Sequence, residues 1–414
     1  MTSTPISLLR AALGAALAAV AALAPGASAA AGSGPAQDPI ARGAYLARMG
    51  DCVSCHSSPD SGPYGGGLKI ATPFGYLISP NITFEPATGI GAWSKDDFWR
   101  ALHDGRGRRG EYLFPVMPFT FTTKATREDS DAIYAYLASV PQITYPVDVN
   151  HLDFPFSIRA TMLAWNELFF RPGSYVPDPS RSAAWNRGAY IVEGLGHCGA
   201  CHEPRNFMGA VERSAGLTGA KIGDWFATNL TPNRQTGLGT WPVAEIVAFL
   251  KQGANAHMVA EGPMAEVVHN SLKYMTVDDL AAVAEYLKSL TPSRSEVSEA
   301  PPIAFPKARA AALYADSCGP CHGAQGAGGP PMLGPPLRGN ALVVAPDPIN
   351  VVRATVGGLA AHAGRLAMPA QLDGVTAQQM ADIINYVRTS WGNTAAPDVT
   401  PAMIFSMQAQ TAPQ

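Results

Sequence analysis

The chain has 414 residues, of which 47% are hydrophobic and 15% are charged, and its formal net charge is −3. This length predicts two to three domains, and the composition suits a packed globular protein. The slightly negative charge argues against nucleic acid as a partner. Counts of 41 Gly and 36 Pro predict many loops and turns.

Residues 1–29 have the pattern of a secretory signal. Arg10 supplies a positive charge, an apolar run extends from Ala11 to Ala24, and Ala27-Ser28-Ala29 fits a cleavage site. The alternative is an uncleaved anchor, but the run is shorter than the ~20 residues that a membrane-spanning helix needs. We expect the segment to be removed and the mature protein to lie outside the cytoplasmic membrane, in the periplasm of a Gram-negative cell.

Three Cys-X-X-Cys-His pentapeptides, at 52–56, 198–202 and 318–322, use all six cysteines of the chain. In such a motif two cysteines attach haem c and the histidine ligates its iron. A redox-active cysteine pair would be expected once, and zinc would need further ligands. We therefore predict three covalent haem c groups. The predicted attachment residues are Cys52, Cys55, Cys198, Cys201, Cys318 and Cys321, and the predicted proximal ligands are His56, His202 and His322.

An internal repeat organises the chain around these motifs. Arg42-Gly43-Ala44-Tyr45-Leu46 recurs as Arg187-Gly188-Ala189-Tyr190-Ile191, and Asn81-Ile82-Thr83 recurs as Asn229-Leu230-Thr231. The third motif opens a shorter and more diverged unit. The predicted division is a domain over 38–145, a linker over 146–182, a second domain over 183–292, a linker over 293–304, a third domain over 305–395 and a flexible tail over 396–414.

Each unit is predicted to open with a helix before its haem motif and to close with another helix. The predicted closing helices run from Arg127 to Ser139, from an N-cap at Thr276 through Leu287, and from Thr376 to Trp391. Gly43 and Gly188 would let the opening helices cross closely over the closing ones. In the linker, 161–165 predicts a short amphipathic helix. In the tail, only 403–405 is apolar enough to touch a membrane or a partner.

A methionine beside a proline precedes the closing helix of every unit. Met117, Met264 and Met368 are therefore the predicted distal iron ligands, and His/Met ligation suits electron transfer. Methionine also fills irregular core gaps, so each could be a packing residue instead. Met258 and Met275 compete for the second haem. Rival histidine ligands are His103, His151, His197, His257, His269 and His362.

The sequence resembles the tri-haem cytochrome c subunits of membrane-associated bacterial dehydrogenases. The resemblance covers nearly the whole mature chain and is carried by Gly43-Ala44-Tyr45-Leu46, Thr72-Pro73-Phe74-Gly75, Asn81-Ile82-Thr83, Gly89-Ile90-Gly91, Gly194-Leu195-Gly196-His197-Cys198 and Tyr386-Val387-Arg388-Thr389-Ser390-Trp391. It implies a mainly α fold of three tandem class I cytochrome c-like domains, each with one haem.

The resemblance also implies partners. A catalytic flavin or quinoprotein (PQQ) subunit would deliver electrons, and ubiquinone or a terminal oxidase would receive them. The subunit would sit on the outer face of the cytoplasmic membrane, peripherally or through its partner. Some family members have a hydrophobic C-terminal anchor, and this sequence has no clear counterpart.

Two other functions stay open from the residues. A multi-haem peroxidase would need one iron with an open or displaceable sixth position, and a free periplasmic electron shuttle would lack a fixed partner. The sequence has no dinucleotide fingerprint in a βαβ unit and no nucleophile constellation. We therefore expect another subunit to oxidise the substrate, with no catalytic residue in this chain.

Overall fold

A computed structural model describes residues 38–294, 301–330, 333–361, 366–370 and 374–411. The predicted signal segment 1–29 and the rival ligand His362 lie outside these residues. The protein is mainly α-helical, as predicted, with two small antiparallel sheets that the sequence did not indicate. Within the described ranges, no helix is long and apolar enough to cross a bilayer.

The first repeat places its haem motif between an opening and a closing helix. Asp38 caps the opening helix and Thr126 caps the closing one, each by accepting a backbone N–H. Ser94 and Asp97 form a capping box at the helix between them. The elements are α1 (Pro39–Met49), α2 (Cys52–Cys55), β1 (Lys69–Thr72), β2 (Gly75–Ile78), α3 (Lys95–Asp104), α4 (Phe119–Thr122) and α5 (Arg127–Ser139).

The connecting segment packs against the first repeat. It contains β3 (Asn150–Leu152), a 3₁₀ turn (Arg159–Thr161) and α6 (Met162–Phe169). β3 adds to the first hairpin by pairing with β2 in antiparallel register. The helix that the sequence predicts at 161–165 is α6, whose Trp165 is buried edge-on against Phe119 while Leu168 is exposed.

The second repeat has the same plan, with an inserted residue before its haem motif. The spacing from Arg187 to Cys198 is one residue longer than that from Arg42 to Cys52, and a π-helix (Ile191–Leu195) absorbs the extra residue. The other elements are α7 (Ala183–Tyr190), α8 (Gly199–His202), a 3₁₀ turn (Arg213–Ala215), β4 (Ala220–Ile222), β5 (Trp225–Ala227), α9 (Val243–Gln252), α10 (Gly262–Asn270), a 3₁₀ turn (Leu272–Tyr274) and α11 (Val277–Ser289).

The regular elements of the third unit are all helices in its described residues. Its elements are α12 (Lys307–Ser317), α13 (Gly319–His322), α14 (Ile349–Gly357), α15 (Ala377–Arg388) and α16 (Pro401–Thr411). Thr376 caps α15 in a capping box with Gln379, so the predicted start is confirmed. The helix ends at Arg388, short of the predicted Trp391, which adopts a left-handed backbone conformation.

Glycine determines how closely the opening and closing helices approach in both repeats. A Cβ atom at Gly43 would overlap the carbonyl oxygen of Ala132, and one at Gly188 would overlap that of Ala282. In each case the next neighbour is the Cβ of a tyrosine on the closing helix, at 2.8 Å. The predicted close crossing is therefore confirmed, and it is the same in both repeats.

The first two repeats share one hydrophobic core. Leu46 and Ile133 of the first repeat belong to the same buried cluster as Ile191, Leu280 and Leu287 of the second. Each of these side chains is at most 2% exposed. The burial of this common apolar surface holds the two repeats together.

The C-terminal segment is more ordered than the flexible tail predicted over 396–414. Ile404 and Met407 of α16 are buried against α14 and α15. Upstream of α16, the side chain of Asn385 bonds the backbone of Val399 in both directions, at 2.9 and 3.0 Å. Among the described side chains of α16 only Ile404 and Met407 are buried, and they lie three residues apart on one helix face, whereas Phe405 is exposed.

Candidate haem-binding sites

The three cysteine motifs adopt the same local conformation. Each forms a single helical turn, α2, α8 or α13, so its two cysteines lie one turn apart. The first cysteine of each motif is partly buried and the second is exposed. This arrangement presents two thiols and the following imidazole to one planar group.

The three histidines are oriented by the same kind of hydrogen bond. In each, the Nδ1 atom bonds a backbone carbonyl at 2.6–2.9 Å. A carbonyl can only accept, so Nδ1 carries the proton and the lone pair that can bind a metal is on Nε2. Such a bond fixes the ring orientation of a metal-ligating histidine. The pairs are His56 with Pro80, His202 with Thr228, and His322 with Pro335.

Burial keeps two of these imidazoles neutral. It lowers the pKa of His56 and of His202, and the carbonyl bond only partly offsets it. A neutral imidazole is the form that binds iron. The donor set of each motif therefore fits haem c.

The structure argues against the other interpretations of the cysteine pairs. Burial raises the pKa of Cys52 and Cys198 to about 12 and that of Cys318 to about 11. A redox-active pair needs a lowered thiol pKa instead. The six cysteines form no disulfide. Among the described residues, no three His, Cys, Asp or Glu side chains converge as a metal cluster.

Met117 and Met264 occupy equivalent positions in the two repeats. Each lies five residues after an isolated β-bridge, closed by Tyr112 in the first repeat and by Val259 in the second. The residue after each bridge donates its N–H to a glycine carbonyl, at 2.8 and 2.7 Å. Both methionines are partly buried against the shared core. Their role as distal ligands stays a prediction that this equivalence supports.

Met368 has a different local setting. It is itself the bridge residue, paired with Leu359 through two backbone hydrogen bonds of 2.9 Å. It is half-buried. The competitors Met258 and Met275 are 6% and 1% exposed within the shared core, as packing residues would be. The third distal ligand therefore rests on the sequence pattern alone.

Each rival histidine in the described residues has another partner. His103, His151 and His257 stack on aromatic rings at centroid distances of 4.4–4.7 Å. His269 lies 3.1 Å from Lys273. His197 is partly buried, and its Nε2 bonds the carbonyl of Gly50 at 3.2 Å.

The bond from His197 reveals that the first two haem motifs are neighbours. His197 directly precedes Cys198, and Gly50 lies two residues before Cys52. A second link is the amide of Asn270, which donates to the hydroxyl of Ser54 at 2.9 Å. Sequence reasoning missed these links because nothing in a repeat indicates how its copies dock.

The third site is lined by aromatic residues. Tyr314, Tyr386 and Trp391 pack on one another at centroid distances of 4.9–5.8 Å, in a cluster that includes Cys318. The Tyr314 hydroxyl donates to the carbonyl of Gly323 at 2.7 Å. The loop after the motif is thereby tied to the opening helix.

Comparison with known proteins agrees with this geometry. The sequence model of the cytochrome c family matches residues 40–141 and 307–391. The chain is 37% identical to the cytochrome c subunit of the quinone alcohol dehydrogenase of Gluconacetobacter polyoxogenes, over 90% of this chain and 85% of that one.

Two further relatives are cytochrome subunits of other dehydrogenases. The cytochrome c subunit of gluconate 2-dehydrogenase from Pantoea cypripedii is 35% identical over 89% of both chains. The cytochrome subunit of fructose dehydrogenase from Gluconobacter japonicus is 35% identical over 86% of this chain and 80% of that one.

The fold and the cysteine motifs define a c-type cytochrome, with covalently bound haem c. Within that class, the chain belongs to the family of cytochrome c subunits of dehydrogenases. The family resemblance inferred from the sequence is thus confirmed.

Proposed function

We propose that the chain carries three haem c groups and is the electron-transfer subunit of a dehydrogenase complex. The observation that carries this proposal is the threefold recurrence of one arrangement: a single-turn Cys-X-X-Cys helix whose following histidine is held through Nδ1. Haem c held in this way supplies reversible one-electron exchange.

The residues of the chain divide the work of holding each haem. The cysteine pairs attach the group, and the carbonyls of Pro80, Thr228 and Pro335 aim the histidines. Met117, Met264 and Met368 would complete the iron coordination from the opposite side. A filled coordination sphere leaves no open position for substrate, which favours electron transfer over peroxidase chemistry.

The relatives suggest the partner. They are subunits of alcohol, gluconate and fructose dehydrogenases, so substrate specificity would reside in a separate catalytic subunit that contains flavin or PQQ. Ubiquinone or a terminal oxidase would be the acceptor. The signal-like N-terminus supports a periplasmic location, peripheral to the outer face of the cytoplasmic membrane or held there by the partner.

The packing supports a relay with unequal parts. The first two repeats share a core and direct hydrogen bonds near their haem motifs, whereas the third unit has cores of its own. In this grouping the predicted domains 38–145 and 183–292 form the pair, and the predicted domain 305–395 is the third unit. A fixed pair of sites beside a separate third one suits directional transfer.

The proposal is tested on protein matured in a host that attaches haem c and extracted with its natural partner from membranes. We expect a catalytic subunit to co-purify and its substrate to reduce the haem of this chain within the complex. The isolated chain should not oxidise that substrate with a dye acceptor. High-spin iron with peroxide turnover would contradict the proposal in favour of a peroxidase, and release from membranes by salt alone, without a partner, would indicate a free shuttle.

A further inference from the structure

The hairpin of β4 and β5 lies against both His202 and the segment before Met264, the two predicted axial ligands of the second haem. On the proximal side, Thr228 directly follows β5 and its carbonyl accepts the Nδ1 proton of His202 at 2.6 Å. On the opposite side, the ring of Trp225 lies against Gly262, two residues before Met264. A small shift of this hairpin would therefore reach both predicted axial ligands.

Gly262 and Trp225 fit each other closely. Gly262 has a φ of +52°, and a Cβ atom there would overlap the indole, whose Cη2 atom is 2.7 Å from that position. Only glycine allows the backbone before Met264 to approach the ring in this way. The indole thus packs directly against the backbone that precedes Met264.

The third unit binds the outer edge of this hairpin through two hydrogen bonds of one side chain, which together form a clasp. The side chain of Asn350, in α14, accepts from the N–H of Phe226 at 2.9 Å and donates to its carbonyl at 2.7 Å. Asn350 is only 4% exposed. Its amide thus bonds the edge of β5 as the backbone of a neighbouring strand would.

Other contacts from the third unit flank the clasp. The guanidinium of Arg353 lies 5.0 Å from the centre of the Trp225 ring and 3.6 Å from the carboxylate of Asp224. Lys221 and Asp347 form a peripheral ion pair at 3.8 Å. The buried clasp and the stacked ring are central, whereas the ion pair is half in solvent and contributes little.

The first repeat satisfies the same edge without the third unit. There Ile78 of β2 donates its N–H to the carbonyl of Val149, just before β3, at 3.0 Å. Ile78 and Phe226 each lie two residues before the carbonyl that orients the proximal histidine. Among the described residues of the second repeat no such strand pairs with β5, and the side chain of Asn350 bonds this edge instead.

We propose that Asn350 and Trp225 are positioning residues for the second haem, through which docking of the third unit holds both of its axial ligands in place. The inference rests on the proposed function because it takes Met264 as the distal ligand. It assigns the third unit a role beyond its own haem, since the ligation at the second site depends on α14.

The test uses the full-length, haem-loaded protein and five variants. Asn350→Ala removes the clasp, and Asp347→Asn is its control in the same interface. Gly262→Ala forces a Cβ against Trp225. Gly223→Ala is its control, because Gly223 has a similar φ of +55° with nothing within 4 Å of the added Cβ. Met264→Ala identifies the spectral and redox signature of the second haem.

The readouts are the thioether–iron absorption band and the potentials of the three haems. We expect Asn350→Ala and Gly262→Ala to weaken the band and shift the same single potential that Met264→Ala shifts, while both controls match the wild type. If Met264→Ala shifted one potential but Asn350→Ala and Gly262→Ala shifted a different one or none, the positioning role would be overturned and the proposed function would stand. If Met264→Ala changed neither the thioether–iron band nor any potential, the assignment of Met264 as a ligand would itself be overturned.

Discussion

Tyr45 of the first repeat donates its hydroxyl to the carboxylate of Asp279 in the second repeat at 2.6 Å. The reciprocal bond is also present, from Tyr190 of the second repeat to Asp129 of the first. Each tyrosine also accepts the N–H of the residue that caps the partner's closing helix, at 3.1 and 3.2 Å. The two repeats therefore dock through the same patch on both sides, like the subunits of a two-fold dimer.

Each carboxylate in this exchange is also paired within its own repeat. Arg187 of the second repeat bonds Asp279 with two nitrogens, each at 2.8 Å, and Arg42 pairs with Asp129 in the first. The aspartates are 2–5% exposed. A buried carboxylate with a guanidinium on one side and a phenol on the other is fully satisfied only while the repeats are docked.

Removal of either hydroxyl should weaken the pair of repeats. We expect Tyr45→Phe and Tyr190→Phe each to lower the free energy of unfolding by roughly 1.5–3 kcal/mol, because the bond is to a charged group. Tyr134→Phe is the control, since its hydroxyl bonds the Trp93 carbonyl within one repeat at 2.8 Å. A loss of about 1 kcal/mol is expected there. Denaturant titrations measure all three, and a smaller loss for the cross-repeat variants than for the control would refute the docking role.

Protonation of Asp279 should lower the free energy of unfolding in acid. Burial acts to raise the pKa of this carboxyl, but the bonds from Arg187 and Tyr45 outweigh it and hold the pKa below the ordinary value of 3.8. A group with a depressed folded pKa contributes its stability above the unfolded value, and that contribution is lost as the pH falls through the folded pKa.

The comparison with Asp279→Asn isolates this contribution. At neutral pH we expect the variant to be less stable than the wild type by roughly 3 kcal/mol, because the partner charge stays buried. The gap should narrow as the pH falls below about 4. Asp278→Asn makes the same charge change at an exposed neighbour and should follow the wild type. A gap between wild type and Asp279→Asn that is constant from neutral pH to pH 3 would contradict this account.

The helix crossings should not tolerate a methyl group. We expect Gly43→Ala and Gly188→Ala each to cost about 2–3 kcal/mol or more of unfolding free energy, because the added Cβ meets a backbone carbonyl that cannot move aside. Gly319→Ala is the control, because its Cβ would find only the Tyr314 carbonyl, at 3.5 Å. It should be neutral or slightly stabilising, and equal effects at all three positions would argue against close crossings.

The C-terminal helix should stabilise the third unit. Ile404 is fully buried, whereas its neighbour Phe405 is 62% exposed. We expect Ile404→Ala to cost about 3 kcal/mol and Phe405→Ala no more than about 0.5 kcal/mol. Thermal and denaturant unfolding distinguish the two variants. If both variants lost similarly little unfolding free energy, the segment would behave as the flexible tail that the sequence predicted.

The sequence predicted what local chemistry determines. Thr276 and Thr376 cap their helices as expected because a cap needs only its own first turn. The three cysteine motifs share one sequence pattern, and their histidines are held in the same way at all three positions. Repetition also identified Gly43 and Gly188, because a close approach that occurs twice leaves the same small residue twice.

The contacts between units were not predictable in this way. Tyr45 and Tyr190 recur at the same place in the two repeats, and so do Asp129 and Asp279, yet repetition does not say which residue meets which. Asn350 resembles any other helical asparagine until β5 is placed beside it. The tail was underestimated because its buried side chains are few and its burial depends on distant helices.

One chain should attach three haem c groups at its three equivalent motifs. The intact mass of the matured protein tests it directly, together with double variants in which both cysteines of one motif become serine. We predict a wild-type mass equal to the mature polypeptide plus three haems, and the loss of one haem in each double variant. A wild type with fewer than three haems, or a double variant that keeps all three, would contradict the account.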